Sequence, residues 1–118
     1  MTLVDTSIWA NHLRRADPAL VRLLDEAQVF CHPYVIGELA CGRLAQRHDV
    51  LTLLARLPLL APVSDGEAMM FIEAHDLAGS GVGWVDVHLL ATARLARVGL
   101  LTADKALQRA ASHLGIAR

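Results

Sequence analysis

The chain has 118 residues, is 54% hydrophobic with mean hydropathy +0.40, and carries a formal net charge of −1 with pI ≈ 6.6. That length suits a single domain over residues 1–118 with a real apolar core. No apolar run approaches the ~20 residues of a membrane span, and the near-balanced charge excludes a polybasic nucleic-acid binder.

The apolar excess predicts contact with another protein chain, either a homodimer or an obligate partner. Every basic residue except Lys105 is arginine, whose forked guanidinium suits phosphate and carboxylate better than lysine does. The opening "MTLVDTSIW" has no basic stretch leading into an apolar segment, so no signal peptide is expected. Cys31 and Cys41 lack metal-type spacing and are expected as reduced, buried, small apolar residues of a cytoplasmic protein.

Along the chain, "TLVD" at 2–5 is a short apolar run ending in an acid, with Thr6 and Ser7 as helix-start residues. "SIWANHLRR" has helical spacing, and "DPALVRLLDEA" opens a helix with Asp17 as N-cap and Pro18 in the first turn. "QVFCH" predicts a second strand, and "PYVIGELACGRLAQR", residues 33–47, one helix opened by a proline. "DVLTLLARL" is helical, and "LLAPV" at 59–63 predicts a third short strand. Ser64 with Glu67 three residues on has the capping-box spacing. That helix ends in a glycine-rich turn, followed by the helix "GWVDVHLLATARLARV". A strand "GLLT", a last helix from residue 103 and a short strand at "IA" complete the chain. Short apolar strands alternating with helices imply an α/β fold with a mainly parallel sheet of four to five strands, covered on both faces.

Four acids stand apart from the solvated ones. Asp5 ends the first strand and Asp104 follows "GLLT", which places both at the carboxyl edge of a parallel sheet, where such folds keep their working crevice. Each also fits a helix N-cap. Glu38 lies in "YVIGELACG" on the helix face of Tyr34, Val35, Cys41 and Gly42, read as apolar. Asp86 shares a stripe with Leu89, Leu90 and Ala93, an inward face on which a lone carboxylate is costly. Converging, the four raise one another's pKa and call for a cation. An all-oxygen donor set selects Mg²⁺ or Mn²⁺ rather than zinc, which points to metal-dependent phosphodiester hydrolysis. The histidines carry no spacing for a metal-free acid–base pair, and His88 falls on a different helix face from Asp86.

The stretches "LVDTSIW", "IGELACG", "GWVDVHLLATA" and "LLTADKAL", in this order, resemble the PIN-domain ribonucleases, and among them the VapC toxins of bacterial toxin–antitoxin pairs. The resemblance implies a PIN-like α/β/α sandwich. It implies that Asp5, Glu38, Asp86 and Asp104 form an acidic quartet holding Mg²⁺ (Mn²⁺ possible). Asp5 and Asp86 are direct ligands in it, Glu38 binds directly or through water, and Asp104 is the most replaceable. Thr6, Ser7 and Thr102 match hydroxyls that orient the carboxylates, and Trp84 reads as a packing residue. The implied activity is endonucleolytic cleavage of single-stranded or loop RNA through water activated by the cation.

Arg14, Arg15, Arg43 and Arg47 lie near the ends of helices adjoining Asp5 and Glu38 and are candidate RNA contacts. With the four acids set aside the formal charge turns positive, which favours that reading. The implied partners are a VapB-like cognate antitoxin, a second copy in a homodimer, RNA as substrate, and promoter DNA only through the antitoxin complex. Two rivals differ in class. A response-regulator receiver needs paired acids after its first strand, where this chain has only Asp5. A non-catalytic PIN module that binds RNA or protein has no need of an intact quartet.

Overall fold

The computed structural model describes all 118 residues. Three parallel strands form the sheet: β1 (Thr2–Val4), β2 (Val29–Phe30) and β3 (Gly99–Leu101), in the order β2-β1-β3. Thr2 pairs with Val29 on one side and with Gly99 on the other. The first strand is therefore central, and the chain leaves it to one side for β2 and later returns to the other for β3. That reversal opens a crevice outside the carboxyl end of β1, where Asp5 stands. All three residues of β1 are buried, as expected of a parallel strand covered on both faces.

The segments expected as further strands shrink to single parallel bridges, Cys31 with Leu59 and Leu100 with Ala117. Pro58 lies just before one bridge, and no ladder of amides continues beyond either. Counted with them, the sheet is five positions wide.

The helices are α1 (Thr6–Arg14), α2 (Pro18–Asp25), α3 (Pro33–Cys41), α4 (Arg47–Arg56), α5 (Asp65–Ala74), α6 (Trp84–Ala96) and α7 (Lys105–His113). Their starts obey the sequence signals. Asp17 accepts the amides of Ala19 and Leu20 with Pro18 in the first turn. Ser64 and Glu67 form the reciprocal capping box, at 3.0 and 2.9 Å.

The helix expected over 33–47 is broken. It stops at Cys41, Gly42 takes an extended conformation (φ −90°, ψ 177°), and a new helix starts only after Gln46, at φ +53°. Glycine is a poor interior helix former, and residues 42–46 beyond the break line a cavity together with residues of α1 and α3. Cys41, expected to be buried, is exposed at that break, whereas Cys31 is buried as expected.

The core is a single apolar cluster. Leu3 and Val4 of β1, Leu100 of β3, Leu89, Leu90 and Ala93 of α6 and Leu107 of α7 lie inside it. The stripe that carries Asp86 is thus the packed face of α6. No helix is long and apolar enough to cross a membrane.

One polar residue in the interior couples the fold to pH. His32 has no exposed surface, and its Nδ1 accepts the Tyr34 amide at 3.0 Å, capping α3. The ring proton therefore sits on Nε2, 3.5 Å from Thr92 Oγ1. Burial, and then the charge of nearby His88, pull the His32 pKa down to about 4. An unfolded histidine titrates near ~6.5, so between the two values the unfolded chain takes up a proton that the folded chain refuses. The stability is present above the unfolded value and is lost as pH falls toward the folded one. Urea unfolding of the wild type should give a midpoint that drops from neutral pH to about pH 5. His32→Gln should start less stable but fall less steeply, and parallel slopes for the two proteins would remove His32 as the cause.

Candidate active site

Asp5 occupies the N-cap position of α1, yet its side chain caps nothing. At 5% exposure its carboxylate is turned instead toward the loop after β3. Ser7 Oγ and Thr102 Oγ1 both donate to Asp5 Oδ2, each at 2.7 Å. The same hydroxyls accept the backbone amides of Ala103 and Asp104, each at 3.0 Å. Each hydroxyl has one proton, so the 3.3 Å approach between them is a contact without a proton to share. The result locks the carboxylate of β1 to the loop that delivers Asp104. All of this uses Oδ2, and Oδ1 receives no hydrogen bond from the chain.

Asp104 is exposed, and its Oδ2 accepts the Leu107 amide at a long 3.4 Å, capping α7. Its structural duty as a cap is therefore real, and weakly made. Glu38 is also exposed, not on an apolar face as its neighbours suggest, and Thr6 Oγ1 donates to its Oε1 at 2.6 Å. Thr6, Ser7 and Thr102 thus each hold a carboxylate of the set.

Asp86 is half-buried in the first turn of α6, where its Oδ2 accepts the Gly83 amide at 3.0 Å. Glycine has no side chain to return the bond, so only half a capping box exists. Burial pushes the Asp86 carboxyl above its ordinary range, the Gly83 amide pulls it back, and the charges of Asp5, Asp104 and Glu38 push it up again. The four acids therefore share one electrostatic neighbourhood. No three of them are gathered tightly around one point. Each is held by its own partner: Asp5 by Ser7 and Thr102, Glu38 by Thr6, Asp86 by the Gly83 amide and Asp104 by the Leu107 amide.

The candidate arginines divide. Arg14 and Arg43 line a cavity of ≈ 660 Å³ that also includes Thr6 and Glu38, the one acid of the four that it reaches. Arg14 is steadied by Asn11 Oδ1 at 2.6 Å. Arg47 opens α4, donates to the Gly42 carbonyl and lines a different cleft with His48 and Arg56. Arg15 ends α1 and lines neither.

Behind Asp86 the structure reveals a ladder that sequence reasoning misses. Trp84 meets His88 edge-on at 4.7 Å, His88 meets Tyr34 at 4.8 Å, and Tyr34 meets His32 at 5.1 Å. His88 has no exposed surface and is anchored through Nε2 to Asp65 Oδ1 at 3.1 Å. The i, i+4 spacing of Trp84 and His88 is the one available signal, whereas Asp65 is 23 residues away from His88.

A PIN domain is matched over residues 2–112, and the chain belongs to that family, with the VapC-type toxins. Over 99% of its length it is 45% identical to Ribonuclease VapC32 of Mycobacterium tuberculosis, spanning 95% of that protein, in both strain CDC 1551 / Oshkosh and strain ATCC 25618 / H37Rv. Among solved structures it resembles PAE2754 from Pyrobaculum aerophilum, with TM-score 0.67 and 17% identity over 97% of this chain and 94% of that one. It also resembles FitAcB from Neisseria gonorrhoeae, with TM-score 0.66 and 19% identity over 95% of this chain and 94% of that one. These two share the fold.

The mutual repulsion has a consequence for stability. Asp86→Asn keeps an oxygen for the Gly83 amide while removing a charge that burial and three acids all disfavour. In metal-free buffer at neutral pH this variant should melt at a higher temperature than the wild type, with the gap narrowing as salt is added. A lower melting temperature would show that the acids do not strain the fold.

Proposed function

We propose that the chain is a divalent-cation-dependent endoribonuclease, the toxin of a toxin–antitoxin pair, acting on single-stranded or loop RNA. The observation that carries this reading is the buried Asp5 carboxylate at the carboxyl end of the central strand, held through Oδ2 by Ser7 and Thr102 with Oδ1 left uncommitted. The 45% identity to a ribonuclease over nearly the whole of both chains supports the nuclease activity.

The donor set fits Mg²⁺ or Mn²⁺, being entirely hard oxygen with Asp5 Oδ1 uncommitted. Asp5 and Asp86 would hold the ion, with Glu38 and Asp104 completing the set directly or through water. A cation at such a site neutralises charge on the reacting phosphate and makes water a better nucleophile. The chain's own residues do the positioning. Ser7 and Thr102 fix the angle of Asp5, Thr6 fixes Glu38, and the Gly83 amide fixes Asp86. Arg14 and Arg43, which line one cavity with Glu38, would hold phosphates flanking the cleaved one.

The surface supports protein partners as well. Leu13 and Leu53 border an apolar groove between α1, α2 and α4, while Met69, Met70 and Leu95 are exposed elsewhere. We assign this surface to a second copy of the chain and to a VapB-like antitoxin. With a net charge of −1, contact with promoter DNA falls to the antitoxin in the complex.

Purified protein should cut a structured RNA in Mg²⁺, with activity lost in excess EDTA and restored by Mg²⁺ or Mn²⁺. Asp5→Asn and Asp86→Asn should each lower kcat by a factor on the order of 10² or more while the circular dichroism spectrum is unchanged. Undiminished cleavage in EDTA, or by either variant, would rule out the cation mechanism. Expression alone should arrest growth, and co-expression of the cognate antitoxin should relieve it.

A further inference from the structure

The acid site explains how a phosphate is held, but nothing in it recognises a base. Trp84 is the exposed aromatic nearest to it in the chain, with 42% of its surface accessible, whereas the other tryptophan, Trp9, is 5% exposed and belongs to the core. A large apolar ring left in solvent at the first position of α6, two residues before Asp86, is not accounted for by packing.

Its ring is also packed on one side. The edge-on contact with His88 fixes one side, and His88 is itself buried, hydrogen-bonded to Asp65 and backed by Tyr34. Tyr34 lies one helical turn before Glu38 on α3, just as Trp84 lies within a turn of Asp86 on α6. The ladder therefore bridges the two helices that carry these carboxylates. A half-exposed indole in the same helix turn as Asp86, though on another face of that helix, suits unpaired nucleotides, whose bases are recognised mainly by stacking on aromatic rings.

We propose that Trp84 is a stacking platform for an unpaired base next to the phosphate held at the carboxylates. This rests on the nuclease reading above and adds a recognition residue to it. Stacking tolerates any base, so Trp84 would select unpaired over paired RNA rather than one sequence over another.

The test uses the full chain carrying Asp5→Asn, with oligoadenylate and an abasic oligomer of equal length as probes. Oligoadenylate should quench tryptophan emission, and adding Trp84→Phe should abolish the quench while leaving most of the affinity. Trp84→Ala should weaken oligoadenylate binding about tenfold, and the abasic oligomer should bind all three proteins alike. Equal oligoadenylate affinity with and without Trp84 overturns the proposal. So does a Trp84→Ala protein whose sedimentation changes while its RNA affinity does not, because the face then belongs to a protein contact. The nuclease reading fails separately, if the wild type leaves RNA uncut in Mg²⁺ while base binding still depends on Trp84.

Discussion

Asp5 is almost fully buried at the end of the central strand, and its carboxylate is shared by two hydroxyls that in turn receive the amides of the loop after β3. A buried charge is tolerated only when hydrogen bonds replace its water. Here the replacements come from both sides of the sheet's switch point. The same bonds that make Asp5 affordable to bury tie α1 to the β3–α7 loop, and so decide where Asp104 stands. The site is a by-product of satisfying one carboxylate.

Asp86 illustrates the opposite balance. Its helix is the most completely buried in the molecule, with every residue from Val87 to Ala93 inside. Packing of that stripe fixes the helix axis, and only the first turn, where the amides are free, offers a carboxylate a partner. The position is held by apolar contacts and strained by charge.

Much of this was legible in the sequence because the signals are local. Asp17–Pro18, Ser64–Glu67 and the apolar strand ending at Asp5 each lie within a few residues, and the structure follows them. The four acids could be singled out because an aspartate on the Leu89–Leu90–Ala93 stripe violates the hydrophobic pattern. Illegible were features set by contacts distant in the chain. Thr6 reaching Glu38 and His88 reaching Asp65 span 32 and 23 residues. Cys41 is exposed at the break at Gly42, which periodicity alone reads through. Short edge strands failed for a related reason, since a single bridge leaves no alternation to detect.

The interruption at Gly42 gives the cavity beside the carboxylates two kinds of wall. One wall belongs to helices α1, α3 and α4, while residues 42–46, with Arg43 among them, are held by few backbone bonds. A lengthened or rewritten 42–46 segment would alter the reach and charge of that wall without disturbing the strand register or the four acids. The cavity wall and the four acids are thereby carried on separate stretches of chain, so the one can be rewritten while the other is kept.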